Sequence, residues 1–129
     1  MKRVEISGDY VLKHGERYEW EFEIWGLPLN PDWRYELTNK IYEELQKYEL
    51  TDITVFSRDA GLLNIQATYT GHSITAIVIA IAIAVTAVSL AVILGGQKIY
   101  KIEEAMIPLS RNVIIALALA LGMIWLIKS

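Results

Sequence analysis

The side chains that could carry acid–base or metal chemistry are few and scattered. His14 and His72 are the only histidines among the 129 residues, and there is no cysteine. A thiolate metal site, a disulfide and a cysteine nucleophile are therefore excluded for this chain. A histidine metal site or a catalytic triad would need both imidazoles to converge with carboxylates. Because His14 lies in a predicted turn and His72 at the edge of an apolar run, we predict no metal, no cofactor and no catalytic residue.

Three glutamates form the one regular charged pattern. Glu19, Glu21 and Glu23 alternate with aromatic and aliphatic residues between Arg17 and Trp25. This period of two predicts a strand that carries all three carboxylates on one face. Such a row is typical of the solvated face of a sheet, but it could also bind a cation or a basic partner. We keep the three glutamates as a candidate partner-binding surface.

The charge distribution argues against nucleic acid as a partner. Residues 1–73 hold 8 Lys+Arg and 13 Asp+Glu, whereas residues 74–129 hold 4 and 2. Phosphate contact needs clustered Lys and Arg, which neither half supplies. Phosphate-binding glycine loops, Walker motifs and nucleophile elbows are also absent from the sequence. We therefore predict that the chain is not an enzyme and does not bind nucleic acid.

The elements that would position these residues form an extramembrane head over residues 1–73. Segments near 4–12 and at Arg17–Trp25 predict a first hairpin, and segments at 53–56 and 62–69 predict a second. Between them a helix of about 18 residues is predicted by one apolar stripe. The stripe consists of Trp33, Leu37, Ile41, Leu45 and Tyr48. The head is thus expected to be α+β, in the order ββαββ, with one helix packed on an antiparallel sheet.

A long apolar segment follows the head. The 21 residues from Ile74 to Leu94 carry no charge, and 12 of them are Ile, Val or Leu. A helix of this length would reach roughly 31 Å, which is the thickness of a hydrocarbon core. This pattern predicts a first transmembrane helix over residues 74–95.

Small residues recur along one side of that predicted helix. They return every three or four positions, so they would share one face and let a neighbouring helix approach closely. A second apolar run, Val113–Ile127, contains the same spacing. The predicted helix-packing residues are Ala76, Ala80, Ala84, Ala87, Ala91, Gly95, Ala118 and Gly122.

The second apolar run predicts a second transmembrane helix over residues 109–128. Its 15 uncharged residues reach only roughly 22 Å, so the flanks must lengthen it. Residues 96–108 would join the two helices as an amphipathic loop or helix. A re-entrant segment or burial between subunits is an alternative. The residues expected at the membrane interface are His72, Tyr100, Arg111, Trp125 and Lys128.

Together these features predict a two-pass integral membrane protein with no enzymatic activity. The expected function is structural: copies associate through small-residue helix faces and head–head contacts, as in a membrane-containing virion, a virion tail or portal attachment, or a cell-envelope assembly. The expected partners are membrane lipid, further copies of the chain, and other membrane or virion proteins. Two alternatives are a small holin-like pore-former and a membrane-tethered adaptor or sensor whose head binds a partner. The flanking charges do not decide which side of the membrane the head faces.

Overall fold

Five strands and two helices make up the part of the chain that the computed structural model describes, which is residues 2–26, 28–29 and 31–103. The strands form one antiparallel sheet in the order β1-β5-β2-β4-β3. Residues Glu5–Lys101, which contain the candidate site and both helices, form one compact unit. The elements in chain order are β1 (Lys2–Ile6), β2 (Arg17–Gly26), α1 (Trp33–Gln46), β3 (Leu50–Phe56), β4 (Leu62–Tyr69), α2 (Ala76–Ser89) and β5 (Ile93–Glu103).

Strand β2 separates an apolar face of the sheet from a polar one. β2 pairs antiparallel with β4, and the register places Trp20 opposite Ile65 and Glu19 opposite Gln66. Residues directly opposite each other in an antiparallel pair share a face. Tyr18, Trp20 and Phe22 are therefore buried on the same side as Ile65, within the main hydrophobic core. The glutamates of β2 lie on the other side.

Helix α1 and the β3–β4 hairpin lie where the sequence pattern places them. Leu37, Ile41 and Leu45 of the predicted stripe are buried in the core. Strand β3 pairs antiparallel with β4, as expected for a hairpin. The register shifts between Thr51 and Thr54, and Asp52 in that gap has a φ of 52°. This irregularity is a bulge, a feature that commonly interrupts edge strands such as β3.

The predicted transmembrane helix over residues 74–95 is wrong. Helix α2 spans only Ala76–Ser89, which is 14 residues or roughly 21 Å, too short for a hydrocarbon core of about 30 Å. Within the described residues, no helix combines the length and the apolarity that a membrane crossing needs. One side of α2 is instead buried in the protein core, and the indole nitrogen of Trp20 donates to the Ala76 carbonyl at 3.0 Å. The two-pass membrane placement is therefore not supported.

Backbone hydrogen bonds fix both ends of α2. At its start, the amides of Ala76 and Ile77 donate to the carbonyls of Tyr10 and Gly8. At its end, Ala91 adopts a φ of 62°. The amides of Ala91 and Val92 then donate to the carbonyls of Val88 and Ala87, which is the Schellman pattern of helix termination. The apolar run therefore continues past a helix stop and into a strand.

Strand β5 corrects two further parts of the predicted fold. It contains Gly95, which was expected on the packing face of the first transmembrane helix, and most of residues 96–108, which were expected to form an amphipathic loop or helix. It also lies between β1 and β2 in the sheet, so the first predicted hairpin, which required those two strands to pair, is wrong. A Cβ atom on Gly95 would lie 2.2 Å from the Trp25 ring, so a side chain at this position in β5 would require that ring to move. The head does not end at residue 73, because α2 and β5 complete it.

The second predicted transmembrane helix, residues 109–128, lies outside the described residues. The same holds for Ala118 and Gly122 of the predicted packing face and for three predicted interface residues, Arg111, Trp125 and Lys128.

Candidate functional site

A small pocket opens where the β3–β4 hairpin meets the start of α1. Its volume is about 170 Å³. The walls come from the end of β2, the first two turns of α1 and both strands of the hairpin. The residues that line it are Ile24, Trp33, Arg34, Leu37, Thr38, Val55, Phe56, Ser57, Gly61, Leu62 and Leu63. We call it the hairpin pocket.

The hairpin loop that forms one wall is closed by its own hydrogen bonds. Ser57 donates its hydroxyl to the Asp59 carbonyl at 2.9 Å, and the Leu62 amide donates to the same carbonyl at 3.1 Å. Gly61 has a φ of 83°, a conformation that favours glycine. Its carbonyl accepts the Ile24 amide at 2.8 Å, which ties the loop to β2. The wall is therefore held by hydrogen bonds within the chain.

Behind that wall, Glu19 forms a buried ionic network on the polar face of the sheet. Arg58 donates to both carboxylate oxygens of Glu19, from Nη2 at 2.8 Å and from Nε at 3.0 Å. Asn64 Nδ2 and Gln66 Nε2 donate to the same two oxygens at 2.7 and 2.8 Å. A carboxylate has about four acceptor sites, so these four donors fill them. We call these four residues the Glu19 network.

The network holds Glu19 ionised. Burial alone would raise the pKa of its carboxyl group, but the hydrogen bonds from Arg58, Gln66 and Asn64 and the charge of Arg58 outweigh that effect and lower the pKa to about 2. The bond to Glu19 correspondingly raises the pKa of Arg58. A carboxylate that is ionised at neutral pH and whose acceptors are filled is not available as a general base. Glu19 therefore positions other groups.

The network borders the strand that forms one wall of the hairpin pocket. The guanidinium carbon of Arg58 lies 5.3 Å from the centre of the Phe56 ring, which lies on the polar face because Phe56 pairs with Asn64, while Phe56 is also one of the residues around the pocket. The backbone amide of Arg58 also donates to the side-chain oxygen of Asn64 at 3.1 Å. Glu19 thus fixes the loop residue next to the pocket wall, from the opposite face of the sheet.

The rim of the pocket carries one cation. Arg34 lies with its guanidinium carbon 5.2 Å from the centre of the Trp33 ring, a cation–π distance. In the part of the chain that the structure describes, no carboxylate lies within ion-pair distance of Arg34. The pocket therefore combines apolar walls with a positive charge at the mouth.

The three glutamates of the candidate partner-binding surface have different environments. Glu19 is buried, Glu21 is half-buried and accepts the Asn64 side chain at 3.0 Å, and Glu23 is exposed and accepts the Trp25 indole at 3.0 Å. Only Glu23 presents its carboxylate freely to solvent, so the row is not one uniform acidic surface.

The two histidines lie apart from the pocket and from the Glu19 network. His14 is exposed, with Nδ1 3.0 Å from the Thr70 carbonyl. His72 is also exposed, and its carbonyl accepts the Tyr69 hydroxyl. No cluster of three or more His, Asp or Glu side chains suited to a metal ion occurs in the described ranges.

The predicted helix-packing residues are divided between two elements. Ala76, Ala80 and Ala87 are buried within the protein's own core, and Ala84 is half-buried. Ala91 lies beyond the end of α2, and Gly95 lies in β5 with the predicted interface residue Tyr100. The small residues of α2 therefore pack inside the chain. Their position does not test whether they also form contacts between copies.

The sequence reading missed the partners of Glu19 and the whole hairpin pocket. One signal was present: Asn64, Gln66 and Thr68 alternate along β4 as the charged residues do along β2. Matching the two polar rows would have predicted side-chain pairing across the strands. No sequence pattern of this kind predicts the pocket, because its walls come from three separate segments.

No protein-family model, no curated protein and no solved structure matches this chain. The predicted role in a virion or cell-envelope assembly rested on the membrane hairpin. Because α2 is a core helix, that role is not retained.

Proposed function

We propose that this chain is a non-enzymatic interaction module that anchors one apolar side chain of a protein partner in the hairpin pocket. The observation that carries the proposal is the size of the pocket together with a lining that is more apolar than polar. At about 170 Å³ it is close to an engineered cavity of about 150 Å³ that binds benzene, and it is smaller than the roughly 300–1,000 Å³ typical of small-molecule sites. One phenyl ring or one leucine side chain matches this volume, whereas a nucleotide cofactor does not.

The charge at the rim supports a partner with a carboxylate beside its apolar anchor. Arg34 has no carboxylate of its own within ion-pair distance in the described part, and its stacking on Trp33 holds the guanidinium near the opening. An exposed ion pair stabilises by about 0.2–1 kcal/mol, which is up to roughly fivefold in affinity. The apolar contact therefore supplies most of the affinity, and Arg34 favours anchors that lie beside a carboxylate.

The test uses two probes that differ only in their terminal group, the carboxylate of N-acetyl-phenylalanine and the neutral amide of N-acetyl-phenylalanine amide. Each is titrated into the ¹⁵N-labelled full chain while amide resonances are followed by NMR. We expect millimolar binding, with shifts at Gly61 and Leu62, and tighter binding of the carboxylate form. Arg34→Gln should reduce its affinity to that of the amide form.

A matched pair of variants separates pocket binding from non-specific contact. Thr38→Leu places a larger side chain in the pocket, whereas Asn39→Leu places the same residue on the exposed side of α1. Thr38→Leu should abolish the shifts and Asn39→Leu should preserve them. Binding that survives Thr38→Leu, or no binding by the wild type, would overturn the proposal.

A further inference from the structure

Helix α2 presents an apolar ridge on the side opposite its buried face. Val78, Ile81, Val85 and Val88 are between 37 and 65 % exposed. Their spacing of three, four and three residues repeats every seven positions, which keeps all four on one side of the helix. Contiguous exposed apolar patches on a protein commonly mark interaction sites. We call these four residues the α2 ridge.

A shallow groove runs beside the ridge, between α2 and the C-terminal half of α1. Tyr48 forms part of its wall, and Ala82 and Thr86 lie along its floor, enclosing about 300 Å³. Two copies of a surface that carries a ridge beside a groove can dock, because the ridge of each copy can fit the groove of the other.

The charges around the groove favour a second copy as the occupant. The charged residue of α1 that lines the groove is Glu44, whose carboxylate pairs with Lys47 at 3.2 Å. Lys40 and Glu43 line an adjoining hollow between the same two helices, so the four charges sum to zero. Helix α2 itself carries no charge. Since the whole chain has a net charge of −3, this neutral surface brings two copies together with little repulsion. A strongly acidic or basic partner would meet no net charge of the opposite sign on this surface.

We propose that two copies of this chain associate through the α2 ridge and its groove, related by a twofold axis. The small residues of α2 pack within each copy together with Ile79 and Ile83, and the four residues of the α2 ridge pack between copies. Two heptads are too few for a stable coiled coil, so the groove must contribute and the dimer is weak, with a dissociation constant on the order of micromolar.

Sedimentation velocity of the full chain, over concentrations from about 1 to 100 µM, tests this association. We expect a reversible monomer–dimer equilibrium in the wild type. Val85→Lys places a cation in each ridge and should weaken the dimer by at least about tenfold. Tyr35→Lys introduces lysine on α1, at a position that is also exposed but does not belong to the ridge. It should leave the monomer–dimer equilibrium unchanged. A wild type that stays monomeric would overturn the proposal.

Crosslinking locates the contact, because the chain has no native cysteine. Val85→Cys should give a covalent dimer with a short bismaleimide, and Tyr35→Cys should not. Association that persists in Val85→Lys, or that crosslinks equally through both cysteines, would place the interface elsewhere and overturn the proposal. Binding of N-acetyl-phenylalanine is independent of this result, since the ridge and the hairpin pocket share no residue.

Discussion

Glu19 and Glu23 show how one sequence pattern leads to two different side-chain environments. Both point to the polar face of β2, but only Glu19 lies opposite a residue, Gln66, that donates to it. Arg58 then reaches Glu19 from the hairpin loop. The alternation of β2 predicts which face each glutamate occupies. It does not predict burial, because the donors come from residues that lie 39 to 47 positions away.

Replacing Glu19 by Gln should destabilise the folded chain and remove part of its acid sensitivity. The pKa of about 2 lies below the ordinary value of 4.5, so the ionised form stabilises the fold above about pH 4.5. That stabilisation, about 3 kcal/mol, is lost as the pH falls towards 2. Urea unfolding of wild type and Glu19→Gln should therefore differ most at pH 7, and the difference should shrink between pH 4.5 and 2.

Glu23→Gln is the matched control for that comparison. The same change on an exposed residue of the same strand face should alter the free energy of unfolding by less than about 0.5 kcal/mol at every pH. A difference between wild type and Glu19→Gln that stays constant from pH 7 to pH 2 would show that Glu19 is not ionised by the network.

At the scale of elements, helix α2 explains why the sequence was misread. Its buried and exposed sides are both apolar, and such a helix has the composition of a membrane span. The residues that end it carry no strong signal, because Ala91 rather than glycine takes the left-handed position. By contrast, α1 has a polar outer face and only one apolar stripe, so its position could be predicted. The spacing of apolar residues shows which side of a helix is buried only when the opposite side is polar.

A charge on either side of α2 should distinguish a core helix from a membrane helix. Ala87 is fully buried, so Ala87→Asp places an unpaired carboxylate in the core and should destabilise by more than about 4 kcal/mol. Val85→Asp lies on the exposed ridge and should cost less than about 1 kcal/mol. Thermal unfolding of both variants, followed by circular dichroism, measures the contrast. Equal damage from the two substitutions would contradict the assignment of α2 as a core helix.

For the whole molecule, the sheet joins segments that are distant in sequence. Strand β5 comes last among the described elements but lies between β1 and β2. Local patterns identified α1 and the β3–β4 hairpin, because their contacts are close along the chain. They could not place β5, whose partners precede it by more than 60 residues. The candidate site follows the same rule, since its three walls meet only after the sheet is assembled.

This order of strands predicts that a chain ending at residue 73 does not fold. It would lack β5, and β2 would lose a neighbour in the sheet. It would also lack α2, which buries Ile79, Ile83 and Ala87 and accepts the Trp20 indole. Without that cover the aromatic core would be exposed to water, a loss of about 1.5–3 kcal/mol for each large side chain. The 1–73 fragment should therefore show no cooperative unfolding, whereas a chain ending at residue 103, which keeps the seven elements of the described residues, should retain it. A cooperative transition in the shorter fragment would mean that the head is complete without α2 and β5.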